Sequence, residues 1–498
     1  MIRFLGDEKK YILTVLLSEM LLSIIWIYPY SLPAKLFLLG WGIILFTKRM
    51  VKKEVFKKDC ISWLLLVSCL FSFISCLYNR STEGLSCFKY FLSNIVLFGV
   101  IFSYVRSQPK AEQSKAIKKY AKYYIFISLL ISLISLWMLV NKIGYTYYPS
   151  DNIMSNFLEK LNLMRVSKYG YMVGITTAYL DGCVYHCSVL ASWAFLSIIL
   201  SVFLFSTESV LKKIFLAGNI IIQIITIIAA GMRREKLAFL IFICLFIWFE
   251  GGRYGKKVCR KVNYLFRVGL IFIMCFLWQA TDNVVSNIIE QTFLDRTRDY
   301  SQMVAEILTN ENNNHENNNI LEDADKSNEI SEDISATIKK TYYELADELV
   351  QNNRKLYLLN EVSNFRIKLW ITGVIKLKNQ PLLGFASNNI EVLKDGELQS
   401  MGLHSEFFTE LNMHGIIGTL CIMIVWCVAM KNALICFYKD KNRKWVIVSS
   451  YAVALMAASF FGTLLTFSIS FMPVLFWILM GIIIPNNKNE WIQSVCEV

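Results

Sequence analysis

The sequence predicts an all-α integral membrane protein with about 12 transmembrane helices, both termini cytoplasmic, and a large outer loop between spans 9 and 10. Three observations lead there. Of the 498 residues 55% are hydrophobic and only 18% charged, too apolar a balance for a soluble chain of this size. Apolar runs near the ~20 residues that a helix needs to cross a bilayer recur along the chain. Lysines and arginines, the source of the net charge of +13, sit in short clusters between those runs rather than in one patch. That pattern belongs to cytoplasmic loops and to contact with anionic lipid, and it argues against nucleic acid as a partner.

The runs cover residues 11–28, 33–47, 61–78, 89–105, 123–140, 184–205, 214–230, 236–249, 263–280, 412–430, 445–461 and 469–485. The second and eighth are short. Only a small region from Gly462 to Ser468 divides the last two, so 445–485 also reads as one helix followed by a re-entrant segment. The first run is too long for a signal-peptide core and lacks a convincing cleavage site, so it is expected to remain as a membrane helix. Orientation follows from the basic clusters. Lys48, Arg49 and Lys52 follow span 2, Lys115, Lys118 and Lys119 follow span 4, and Lys212 and Lys213 follow span 6. Arg253, Lys256 and Lys257 follow span 8, and Lys439, Lys441 and Arg443 follow span 10. Each is an exit from an even-numbered span, which puts both termini in the cytoplasm.

The chain therefore divides into spans 1–9 over residues 1–280, the outer loop 281–411, and spans 10–12 over residues 412–498. A smaller outer loop covers 141–183. The large loop holds 22 of the 38 acidic residues against 12 lysines and arginines. Its stretch 310–335 is Asn-rich and acidic, buries too little apolar surface to offset its chain entropy, and is expected to be disordered. Asp323 and Asp325 within it read as a solvated acidic patch. Residues 364–379 read as an amphipathic helix along the bilayer surface, with Arg366, Trp370 and Gly373 on one face and Pro381 stopping it. The thirteen cysteines lie mostly in apolar spans and make no disulfide framework. Cys183, His186 and Cys187 lack a second pair of metal ligands, so no metal site is expected.

One connection breaks the charge rule. Gly231-Met-Arg233-Arg234-Glu-Lys236 lies on the predicted outer face, where span 8 begins with its N-terminus outward. Free N–H groups and the positive end of the helix dipole there, beside two guanidiniums, make an anion site. Arginine suits phosphate because its planar fork donates paired hydrogen bonds and keeps its charge. The plainer alternative is snorkelling to lipid headgroups. Arg165 in the first outer loop is a plausible second anion contact, and His186 nearby reads as a hydrogen-bonded helix-end residue. Ahead of span 10 stand His404, Glu406 and Glu410. A histidine of near-neutral pKa can take a proton from a sugar hydroxyl, and either carboxylate can do the same or orient the histidine. Glu19 is an ionisable group in mid-span with no partner identifiable from sequence.

Taken in order, Gly-Met-Arg233-Arg234, then Arg366, Trp370 and Pro381-Leu-Leu-Gly384, then His404-Ser-x-Phe-Phe and Gly415-x-x-Gly418 resemble the bacterial O-antigen ligases and polysaccharide polymerases. The similarity spans roughly residues 160–430. It implies a GT-C-like, metal-independent glycosyltransferase of the plasma membrane, with its active site facing outward and no cofactor. Its substrate would be an oligosaccharide on undecaprenyl pyrophosphate, with a flippase and a chain-length regulator of the same pathway as further partners. On the matching positions, Arg233 or Arg234 would hold the donor pyrophosphate, Arg366 would add a second contact, and His404 would activate or position the acceptor hydroxyl. Ser405 departs from the Asn of many relatives. The expected activity is polymerisation of repeat units into a capsule or O-antigen type of polysaccharide. The alternatives are a ligase that passes the finished glycan to a terminal acceptor, and a flippase. Against the flippase, the spans carry almost no charge apart from Glu19 and no internal repeat relates the halves.

Overall fold

The computed structural model describes residues 7–24, 27–28, 31–54, 60–79, 84–141, 175–176, 179–180, 182–184, 186–254, 267–274, 276, 278–281, 283–284, 344–363, 366–387, 389–394, 397–439, 443–462 and 470–484. Helices lie on the predicted apolar runs. They begin with α1 (Glu8–Leu22), α2 (Ser31–Val51) and α3 (Cys60–Tyr78). Next, α4 (Gly84–Val96) continues through a π-helical turn, Leu97–Phe102, into α5 (Ser103–Ser107). The central group is α6 (Lys110–Val140), α7 (Cys187–Phe205), α8 (Val210–Ala229) and α9 (Arg233–Tyr254), followed by a helical stretch over Arg267–Thr281. Two short helices, α10 (Arg354–Val362) and α11 (Arg366–Leu377), precede α12 (Glu406–Lys439), α13 (Arg443–Ser459) and α14 (Phe471–Ile483). Among the described residues six helices are long and apolar enough to cross a bilayer: α3, Phe88–Ser107, α6, α7, α8 and Glu406–Tyr438. The chain is a multi-pass α-helical membrane protein. The predicted disordered stretch 310–335 lies outside the described residues.

Two runs that look short as apolar segments are longer as helices. Both α2 and α9 extend through charged residues, Lys48 and Arg49 in one and Arg233–Lys236 in the other. Long basic side chains allow this, because their methylene stems follow apolar surface while the charge stays at the helix end. The block 445–485 holds two helices, α13 and α14. Sheet among the described residues is confined to two antiparallel hairpins. The first pairs β1 (Ile175–Thr176) with β2 (Tyr179–Leu180), and the second pairs β3 (Asn389–Lys394) with β4 (Glu397–Gly402).

In hydrocarbon, helices gain little from hiding apolar surface from one another, so packing and buried hydrogen bonds carry association. Here α12 packs along α3, α9 along α13, and α7 against both α6 and α8. Phe195 on α7 meets Tyr451 on α13 edge-on at 5.0 Å, and Trp477 on α14 meets Phe98 of the π turn at 4.3 Å. A polar chain ties three helices together. Ser132 donates to Gln223 Oε1 at 2.8 Å, and Gln223 Nε2 donates to Asn219 Oδ1 at 3.1 Å. Asn219 Nδ2 then donates to Ser197 and Ser201 at 3.0 and 2.9 Å. All five side chains are buried.

Charge sorts to the two ends of this bundle. At one end Arg49 sits between Glu8 and Glu54 at 3.9 and 3.7 Å, Glu208 holds Lys122 and Lys212, and Glu250 faces Arg443. Cross-links Arg49–Ser103, Lys110 over Trp445 and Lys444 over Phe203 place these groups at a common level. The other end carries Arg234, Arg366 and His404. Glu19 has the partner that the sequence did not reveal: Lys35 lies 3.7 Å away.

Replacing Asn219 by Leu leaves the amide nitrogen of Gln223 and the two serine hydroxyls without their partner. The expected loss is about 0.6–1.7 kcal/mol, read as a lower midpoint of thermal unfolding in detergent. An unchanged midpoint would show that the buried chain contributes nothing to stability.

Candidate functional site

The helix hairpin of α8 and α9 turns at Gly231, whose φ of 68° is left-handed, and α9 starts two residues later at Arg233. Arg233 and Arg234 therefore stand in the first turn of a helix, where N–H groups lack partners of their own. Arg233 is exposed and makes no ion pair among the described residues. Arg234 is mostly enclosed and its guanidinium bonds to Glu235, with Nε at 3.0 Å from Oε1 and Nη2 on the same oxygen. Glu235 is buried and also accepts from Ser192 at 3.1 Å. So a carboxylate in the first turn already meets part of the positive charge of the predicted anion site. Sequence reading passed over it, although an acidic residue in a first helical turn is itself a dipole signal.

Arg366 opens α11 and donates to the carbonyl of Phe461 at 2.6 Å. The next residue, Gly462, lies against Arg234, and a Cβ there would run into that side chain. The turn after α13 thus sits between two guanidiniums that are far apart in sequence. Arg366 also lies in the field of both Arg234 and Arg233. Burial first, and these two charges second, hold its pKa below the ordinary arginine value.

His404 joins the same group. Its ring stands at the surface, and partial burial, then Arg366 and Arg234, hold its pKa below the usual 6.5. Its backbone is left-handed, with φ of 50°, a conformation that histidine adopts more readily than most residues. The preceding carbonyl, Leu403, accepts from Trp370 Nε1 at 2.8 Å, and the Trp370 ring stacks on Phe408 at 4.9 Å. Trp370 therefore fixes the residue before His404. The rest of the predicted interfacial helix buries Leu369, Thr372, Gly373 and Leu377, with Leu369 packed on Ile390 and Leu403.

The two carboxylates go elsewhere. Glu406 and Glu410 lie on α12 and are fully buried. Glu410 Oε2 is 2.8 Å from His414 Nδ1 one turn on, and its other oxygen has no hydrogen bond among the described residues. Glu410 and His414 are both fully buried, so the pair faces the bundle interior. No hydrogen bond joins either carboxylate to His404 among the described residues. The i, i+4 spacing of Glu410 and His414 was the signal for this pair. His186 caps α7, accepting from the Ser188 N–H at 3.1 Å, as the sequence suggested. Arg165 lies outside the described residues.

The remaining motif residues build a backbone clasp. α12 is broken at Gly415, where φ is 66° and ψ is −171°. The turn Pro381–Gly384 fills the break: Ile416 N donates to Pro381 O at 2.9 Å, and Phe385 N donates to Asn412 O at 2.6 Å. Gly384 and Gly415 face each other so closely that a Cβ on Gly384 would lie 2.6 Å from Gly415 N. Asn79 at the end of α3 donates to Gly384 O at 3.1 Å. Comparison of the chain with protein-family models, curated proteins and solved structures finds no match.

Gly415→Ala must put a side chain into Leu382 and hold a left-handed backbone, for which strain alone costs about 1–3 kcal/mol. Gly40, in α2 with open space around it, is the contrast, since Ala there gains about 0.5–1 kcal/mol. Thermal unfolding should fall for the first variant and hold or rise for the second. Equal midpoints would mean that the clasp is dispensable.

Proposed function

We propose that the protein is a lipid-linked oligosaccharide polymerase, acting at the outer leaflet on repeat units carried by undecaprenyl pyrophosphate. The observation that carries this reading is the meeting of Arg233, Arg234, Arg366 and His404 at one end of the bundle, although they come from three distant parts of the chain. Three guanidiniums face one buried carboxylate there, a surplus that a pyrophosphate offsets. As the glycosyl bond breaks, negative charge grows on the departing pyrophosphate, and fixed guanidiniums stabilise it without reorganising. His404, kept neutral by burial and by the same arginines, is in the form that accepts the proton of the attacking hydroxyl. Glu410, bound to His414 inside the bundle, holds α12 instead of taking that proton. A ligase would break the same bond and differ only in its acceptor.

Deleting the gene and sizing the cell's lipid-linked saccharides tests the reading. Single repeats accumulating on the outward-facing carrier support a polymerase. Long chains stranded on the carrier would mean a ligase, and single repeats held inside would mean a flippase.

Within the site, Arg233→Ala should abolish elongation while the protein still accumulates in membranes. His404→Asn, which tolerates the left-handed backbone, should lower turnover by about 10²–10⁴-fold. Full activity in both variants would overturn the site.

The pH profile has a definite sign. With its pKa below 6.5 in the free protein, His404 is neutral at pH 7 and gains its proton only on acidification. The acid limb of kcat/KM should therefore lie below pH 6.5. Bound pyrophosphate offsets the guanidiniums and favours the imidazolium, so the limb of kcat should lie at higher pH than that of kcat/KM. A kcat limb at lower pH would separate His404 from the anion site.

A further inference from the structure

A groove of about 210 Å³ runs between α2, α3 and the α4–α5 segment, away from the arginine cluster. Its walls are almost wholly apolar, from Phe73 and Phe91 at one end past Leu66 and Phe98. At the other end they become polar, with Ser62, Ser103 and Arg106. These three lie at the start of α3 and the end of α5, at the level where Arg49 meets Ser103 and the paired charges gather. The groove is therefore amphiphilic along its length. Its apolar end is at mid-bundle and its polar end at a bundle surface.

The length fits one leaflet. From Ser62 to Phe73 α3 rises about 16 Å at 1.5 Å per residue, and half of a hydrocarbon core of about 30 Å is about 15 Å. The π turn shapes one wall, placing Gly99 with no side chain between Phe98 and Phe102. Such turns recur where a helix surface is adapted to a ligand. Arg106 is 8% exposed, and its guanidinium lies 5.7 Å from the centre of the Phe102 ring. With five N–H donors it can keep its protein contacts and still bind a phosphate.

We propose that this groove is a site for an anionic glycerophospholipid of the leaflet at that end, with an acyl chain lying between α3 and the π turn and its phosphate at Arg106 and Ser103. The proposal is independent of the glycosyltransferase reading, because lipid retention and not turnover decides it. The test uses full-length protein purified in mild detergent. Bound lipid is extracted and identified by mass spectrometry, and delipidated protein is titrated with phosphatidylglycerol or phosphatidylcholine while its thermal midpoint is followed. Wild type should retain an anionic phospholipid, and phosphatidylglycerol should raise the midpoint more than phosphatidylcholine. Arg106→Gln should weaken the phosphatidylglycerol response by about fivefold, the effect of one basic residue at a lipid surface. Leu70, on the groove wall and 51% exposed, allows a filling variant that leaves the core untouched. Leu70→Trp should abolish retention, and Leu77→Trp, exposed elsewhere on α3, should preserve it. Undiminished retention in Leu70→Trp, equal responses to the two lipids, or a polyprenyl phosphate as the retained species would overturn the proposal.

Discussion

The break in α12 at Gly415 is the constraint on which the arginine-bearing end of this protein depends. Within hydrocarbon every freed backbone group must find a partner in the protein, and irregular backbone survives only where protein surrounds it. Here the partners are supplied by Pro381 and by the N–H of Phe385. A helix interruption that would be costly alone becomes the socket for a turn. That turn ends the segment begun by α11, so Arg366 and Trp370 are tied to the axis of α12. Trp370 then reaches forward to Leu403. The position of His404 follows from the same few hydrogen bonds that close the break.

The arginine cluster is held by geometry and not by neutralisation. Glu235 takes one guanidinium, the carbonyl of Phe461 takes another, and Arg233 is left exposed. Like charges at short range repel more strongly as solvent is excluded. Burial of Arg366 and His404 raises that cost, and it is visible in the depressed pKa of each. Keeping three cations together without an equal number of anions means that the fold supplies the difference. An anionic ligand reverses the sign of that term, because every guanidinium then contributes attraction.

How much of this was legible in the chain depends on whether the signal was local. Apolar runs and basic exits are local, and the helices lie where they were expected. Arg233, Arg234, Arg366 and His404 were each visible by residue type, but their convergence comes from the turn at 461–462, which carries no chemical mark. The Glu410–His414 pair was a local i, i+4 signal left unread, so a buried carboxylate was counted among the surface ones. Glu19 found Lys35 through packing that no spacing announces. The β3–β4 hairpin was missed although Asp395-Gly396 stands between its strands, a dipeptide that favours tight hairpin turns. The π turn has no sequence signature of its own, and it is recognised only once Trp477 is seen packed against it.

The two ends of the bundle differ in how their basic residues are paired. Basic residues that serve only to orient spans need be near the surface, and they can pair with whatever acids are at hand. At the lysine-rich end they do so: Glu8, Glu54, Glu208 and Glu250 each take cations. Glu208 has its pKa lowered first by its bond to Lys212. At the opposite end Glu235 takes Arg234, while Glu406 and Glu410 are buried on α12, so the guanidiniums outnumber the carboxylate that meets them. Snorkelling to headgroups accounts for the exposed Arg233 more simply than for Arg234 and Arg366, whose side chains are gathered around the backbone turn at Phe461 and Gly462. An anion shared between them, as proposed, would account for both the gathering and the charge.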